Sequence, residues 1–84
     1  MKKTAVFYPN SSNVKGVNYF FQREVLRVTT KSGIYEYFKV PEDIFNQLLN
    51  AHLEGASVGK LFNSLVVRGN FDYKKYPLDY EFKE

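Results

Sequence analysis

With 84 residues, 44% of them hydrophobic and 25% charged, the chain is long enough for one globular domain and too short for two. The absence of cysteine excludes disulfides, thiolate metal sites and thiol nucleophiles, and suits a reducing cytoplasm. The net charge of +3 is too small to define a partner, but eight Phe and seven Tyr mean that the core must be built largely from rings.

The opening "MKKTAVFYPN" is basic and then apolar, yet its apolar run stops at Pro9, short of the about 7 to 15 residues of a secretory core. No stretch reaches the ~20 apolar residues of a membrane span. The expectation is a soluble, cytoplasmic protein with no membrane partner. The segment "AVFY" could add an edge strand, and "PNSSN" at 9 to 13 is turn chemistry.

Period-2 alternation then predicts three strands. "VNYFF" (17 to 21) puts Val17, Tyr19 and Phe21 on one face. "VLRVTT" (25 to 30) follows a polar break, and "IYEYFKV" (34 to 40) follows "KSG". With Ser32 and Gly33 as the turn, Thr30 opposes Tyr35 and Val28 opposes Tyr37. Leu26, Val28, Thr30, Tyr35 and Tyr37 then share an apolar face, and Arg27, Glu36 and Phe38 share the other.

Pro41 ends the third strand and suits a helix start, with Glu42 and Asp43 placed to complement the helix dipole. Ile44, Phe45, Leu48, Leu49 and His52 recur at helical spacing up to a stop at Gly55. Ser57 can cap a second helix whose stripe is Leu61, Phe62, Leu65 and Val66, ending at Gly69. "NFDYKKY" can form a short terminal strand, and residues 77 to 84 read as a partly ordered acidic tail. The expected class is α+β: a single domain with a core over 11 to 76, made of a three-stranded antiparallel meander covered on one face by two helices, with a short extended end.

In order, "SSNVKGVNY", "LRVTTKSGIYEYFKVPEDIFNQLLNA" and "ASVGKLFNSLVVRGNFDYKK" resemble the KTSC domain, a short bacterial and phage module also found at the C-terminus of some lysyl-tRNA synthetases. The resemblance rests on Tyr35-Glu36-Tyr37, on Val40-Pro41, and on Ser57, Gly59, Phe62 and Asn63. One departure is "HLEGA", which intervenes between Ala51 and Ser57 and lengthens the first helix or its loop. The resemblance implies an α+β fold and, through the synthetase association, RNA binding.

The residues themselves give little to catalysis. His52 is the only histidine, with no acid at helical spacing, and Glu42, Asp43 and Glu54 read as dipole complement and solvent face. "GASVGKLF" lacks the glycine spacing and following Ser/Thr of a Walker loop. Ser57, Gly59 and Lys60 nonetheless open a helix where N–H groups, a hydroxyl and a lysine converge, which is either an anion site or a plain N-cap with a packing glycine. Residues 57 to 76 carry Lys60, Arg68, Lys74 and Lys75 against Asp72, while residues 77 to 84 are net acidic.

The functional expectation is a non-enzymatic binding module for single-stranded or tRNA-like RNA. Lys60, Arg68, Lys74 and Lys75 would contact phosphate, with Ser57, Gly59, Asn63 and Tyr73 beside them. Tyr35 and Tyr37 are expected to floor the core, with a base-stacking surface as the alternative. No cofactor or metal is expected. Alternatives are a phage or mobile-element protein that binds a nucleotide or other small ligand, and an inhibitor or interaction domain for a host protein. The second face of the sheet is too apolar to stay bare: the terminal segments, with Phe7, Tyr8, Tyr80 and Phe82, or a second copy in a homodimer are expected to cover it.

Overall fold

The computed structural model describes residues 4–83. The chain forms β1 (Thr4–Phe7), β2 (Val14–Phe20), β3 (Val25–Thr30), β4 (Ile34–Tyr37), α1 (Glu42–Leu53), α2 (Val58–Leu65), a 3-10 turn at Val67–Gly69 and β5 (Tyr73–Tyr76). All strands join one antiparallel sheet in the order β1-β2-β3-β4-β5. The architecture is α+β as expected, but the sheet has five strands rather than three. Both terminal segments pair: Thr4–Phe7 lies along β2, and Tyr73–Tyr76 returns past both helices to lie along β4.

The turn between β3 and β4 also differs from expectation. It is centred on Lys31 and Ser32, one position earlier than Ser32 and Gly33, because Thr30 N–H donates to Gly33 O at 2.8 Å and the Thr30 hydroxyl donates to the same carbonyl at 3.0 Å. Val28 therefore pairs with Tyr35 and Leu26 with Tyr37, a slip of two residues. A slip of two preserves the faces, so the predicted grouping of Leu26, Val28, Tyr35 and Tyr37 stands. The third strand is shorter than predicted. It ends at Tyr37, and Lys39 adopts φ 58 to turn the chain into Pro41.

α1 begins immediately after Pro41, with Glu42 and Asp43 in its first turn. "HLEGA" extends its last turn: Gly55, at φ 77, lets Ala56 N–H reach back to Ala51 O at 2.8 Å. Ser57 then caps α2, its hydroxyl accepting Lys60 N–H at 3.2 Å. Phe45, Leu48, Val58, Phe62 and Val66 from the helical layer pack on Val17, Tyr19, Leu26, Val28 and Tyr37 of the sheet. Rings dominate the centre: Tyr19 stacks on Phe45 at 5.2 Å and meets Phe21 edge-on at 5.0 Å.

The other face of the sheet is covered by the tail. Phe82 packs on the Arg27 guanidinium, 3.7 Å from carbon to ring centroid, and joins Tyr76 and Tyr80 in a ring cluster. Phe7 does not contribute here. It points to the helix face, against Phe45 at 5.9 Å and His52 at 4.9 Å.

Candidate functional site: a tyrosine-floored cleft

Where β4 and β5 meet the N-terminal end of α2, the surface opens into a cleft of about 970 Å³. Its floor follows from strand alternation. Tyr35 and Tyr37 are two apart on β4, and Tyr37 pairs with Tyr73 on β5, so three rings share one face. Tyr37 lies 6.3 Å from Tyr35 and 5.5 Å from Tyr73, centroid to centroid, and packs edge-on to Phe62 at 5.7 Å. Tyr37 is buried, Tyr35 half-buried, and Tyr73 60% exposed. Tyr37 is therefore core, and Tyr73 is the ring a ligand can reach.

These positions set the phenols apart chemically. Burial, aided by neighbouring Tyr35 and Tyr73, pushes the Tyr37 hydroxyl up to about 12. Tyr35 moves the other way: its contact with the Ser32 hydroxyl, 3.5 Å away, and with Lys75 outweighs burial and lowers it below the usual phenol value.

One wall is the start of α2, with Ser57, Gly59, Lys60, Phe62 and Asn63. The opposite wall comes from Ser11, Ser12 and Asn13 before β2, Thr30 at the end of β3, and Lys31 and Ser32 in the turn that follows. The two loops are tied together by Lys31 N–H donating to Asn13 O at 3.2 Å. The Ser11 hydroxyl accepts Asn13 and Val14 N–H, each at 3.3 Å, which fixes the loop in a serine turn. A Cβ on Gly59 would stand 3.2 Å from the Ser11 oxygen, so the absent side chain lets loop and helix close on each other. Asn70, held at φ 60 by the turn before β5, completes the rim with Phe71.

Of the residues singled out in the sequence, Ser57, Gly59, Lys60, Asn63, Tyr73, Tyr35 and Tyr37 line this one cleft. Lys75 reaches its edge, with its ammonium 5.5 Å from the Tyr35 ring centre. Arg68 is exposed on the 3-10 turn and does not line the cleft. Lys74 is on the opposite face, beside Glu36 in register and 5.3 Å from the Tyr76 ring. The expected four-cation patch is thus divided by the sheet. Sequence reasoning passed over Ser11, Ser12, Asn13, Lys31 and Asn70. Alternation could have separated Lys74 from Lys75, but nothing local indicates that two distant loops meet.

Among the described residues no carboxylate or imidazole lines the cleft, and no group of three His, Cys, Asp or Glu could hold a metal ion. No helix of the described residues is long and apolar enough to cross a membrane.

A meander wrapped on a helix pair, with a tyrosine-floored polar cleft at their junction, defines a small α+β domain. Its sequence matches the profile of the KTSC domain over residues 10–71, and the chain belongs to the KTSC domain family. The fold is shared with the crystal structure of a KTSC domain protein from Yersinia pestis, at 24% identity and a TM-score of 0.73, covering 87% of this chain and 97% of that one. No curated protein matches the sequence.

Proposed function

We propose that the domain is a non-enzymatic module that binds a short single-stranded stretch of RNA in the tyrosine-floored cleft. The observation that carries this reading is the convergence of an exposed ring, Tyr73, with Lys31 and Lys60 on facing walls and a lining rich in hydroxyls and amides. A base stacked on Tyr73 gains roughly 1 to 3 kcal/mol whatever its identity, while lysines take the flanking phosphates. Hydroxyl and amide groups such as Ser32 and Asn63 suit the edges of a base and the ribose 2′-OH.

With Lys31, Lys60 and Lys75 as the cations, log K falls against log salt with a slope of about −2 on a single strand. The test is fluorescence anisotropy with a labelled mixed-sequence RNA across salt concentrations. Lys60→Gln makes the slope shallower by about 0.7, and Tyr73→Ala costs roughly 1 to 3 kcal/mol. Absence of binding at low salt, or equal slopes in the parent and Lys60→Gln, refutes the reading.

A second reading, a single nucleotide as ligand, is favoured by the size of the cleft, which falls within the about 300 to 1,000 Å³ of small-molecule pockets. Its signature is stabilisation by one nucleotide in a melting panel, about 2.7 kcal/mol at a hundredfold excess over Kd.

A further inference from the structure

The outer face of the sheet is used by neither the helices nor the cleft, yet Phe20, Val25, Ile34 and Glu36 are buried on it. At its centre Arg27 donates to Glu36 Oε2 through Nε at 3.0 Å and Nη2 at 2.8 Å, and its guanidinium lies over the Phe20 ring at 4.7 Å. What covers this platform is the tail. Residues 77–83 add no strand, and among the described residues their backbone hydrogen bond outside regular structure is an internal one, Tyr80 N–H to Pro77 O at 3.0 Å. Every residue from Pro77 to Lys83 except Phe82 is exposed. The segment is held by rings: Phe82 on Arg27 at 3.7 Å, and Tyr76, Tyr80 and Phe82 on one another at 4.7 to 4.8 Å. It lies beyond the residues matched by the family profile. It also holds two of the nine acids of an otherwise basic chain, opposite a face bearing Arg23, Arg27 and Lys74.

We infer that this outer face is a docking site for an extended segment of a partner protein carrying two aromatic residues that flank an acid, and that residues 77–83 occupy it as a tethered competitor. The occupant shows what chemistry the site accepts. An aromatic ring sits on a guanidinium that also lies over Phe20, and a nearby acid balances the surrounding cations. The partner is not a second copy of this chain. A tethered segment is present at an effective concentration in the millimolar range, and an identical tail arriving from outside gains no contact that could displace it. A partner gains more by continuing along β5, which is the edge of the sheet and open to strand addition.

The test uses a labelled peptide of sequence YPLDYEFKE, titrated by anisotropy into the full chain and into its Phe82→Ala variant. Freeing the platform raises peptide affinity by about tenfold or more, as expected when a tethered competitor is removed. Arg27→Met in the Phe82→Ala background reverses that gain, and a peptide with its Tyr and Phe replaced by Ala does not bind. Melting verifies that the variants are folded. Should Phe82→Ala fail that check, Tyr80→Ala loosens the tail without touching Arg27. Equal peptide affinity in the parent and the tail variants overturns the inference, as does equal binding of the alanine peptide, which would reveal charge attraction alone. Light scattering that shows a dimer in the parent and a monomer in Phe82→Ala would assign the face to a second copy and overturn the partner reading.

Discussion

Tyr19 donates its hydroxyl to the Val40 carbonyl at 2.6 Å, joining the middle of the sheet to the connection that enters α1. Both residues are buried. Burial pushes the Tyr19 phenol up, with Glu24 and Glu42 adding to the shift, so the group stays a neutral donor. Tyr19→Phe leaves the Val40 carbonyl without this donor and costs about 1 to 3 kcal/mol. Urea denaturation should show a lower midpoint with an unchanged slope.

Arg27 and Glu36 test whether an ion pair on the outer face stabilises the fold. Their side chains are only 12% and 11% exposed. Arg27→Ala leaves Glu36 buried without its main partner and costs about 3 kcal/mol. Replacing both by leucine removes two desolvation penalties together and is expected within about 1 kcal/mol of the parent. A double-mutant cycle by chemical denaturation reads the difference directly.

Gly33 is required by its neighbour. A Cβ there would stand 2.9 Å from the Tyr76 carbonyl oxygen, and backbone cannot give way as a side chain can. Gly33→Ala must push β5 away from β4, at a cost of about 1 to 3 kcal/mol. Hydrogen exchange should rise in Tyr73–Tyr76 more than in β2.

Alkaline unfolding has a specific source in Tyr37. Its folded pKa is raised from 10.0 to about 12, so its contribution is fully present below pH 10. Between those values the unfolded chain releases a proton that the folded chain retains, and stability falls as pH rises. Tyr35, shifted downward, acts earlier: its contribution is gained as pH rises towards 10 and is constant above it. In Tyr37→Phe the decline of stability across that window should be shallower than in the parent, measured by denaturant midpoints at each pH.

The elements that could be read from the sequence are those fixed locally. Pro41 with Glu42 and Asp43, Gly55 and the Ser57 cap all act within a few residues, and each stands where expected. The β3–β4 register could not be read because Thr30, through its N–H and hydroxyl, binds the Gly33 carbonyl and moves the turn one residue earlier. The edge strands β1 and β5 depend on a sheet already formed beside them, so four residues of weak alternation could not establish either one. For the site, Ser57, Gly59, Lys60, Asn63 and the tyrosines were accessible because helix and strand periodicity place them. Ser11 and Lys31 reach the cleft because the β2–β3 pairing sets Val14 against Thr30 past an irregularity at Val14 to Gly16, a register that local spacing does not announce.

Tyr37 and Tyr73 are partners in register, yet both helices lie between them in the chain. Hairpins β1 to β4 close by short loops and can zip in sequence, whereas β5 must close a long loop at an entropic cost of roughly 3 kcal/mol. The last strand therefore docks late, after the helices have settled, and it is the first to detach when the chain is strained. Tyr73 leaves with it, so the cleft opens and dissolves in a partial unfolding that spares most of the core. A ligand gripping Tyr73 on one side and α2 on the other would act as a clasp on that movement, slowing exchange in β5 by far more than it raises the resistance of the whole chain to denaturant.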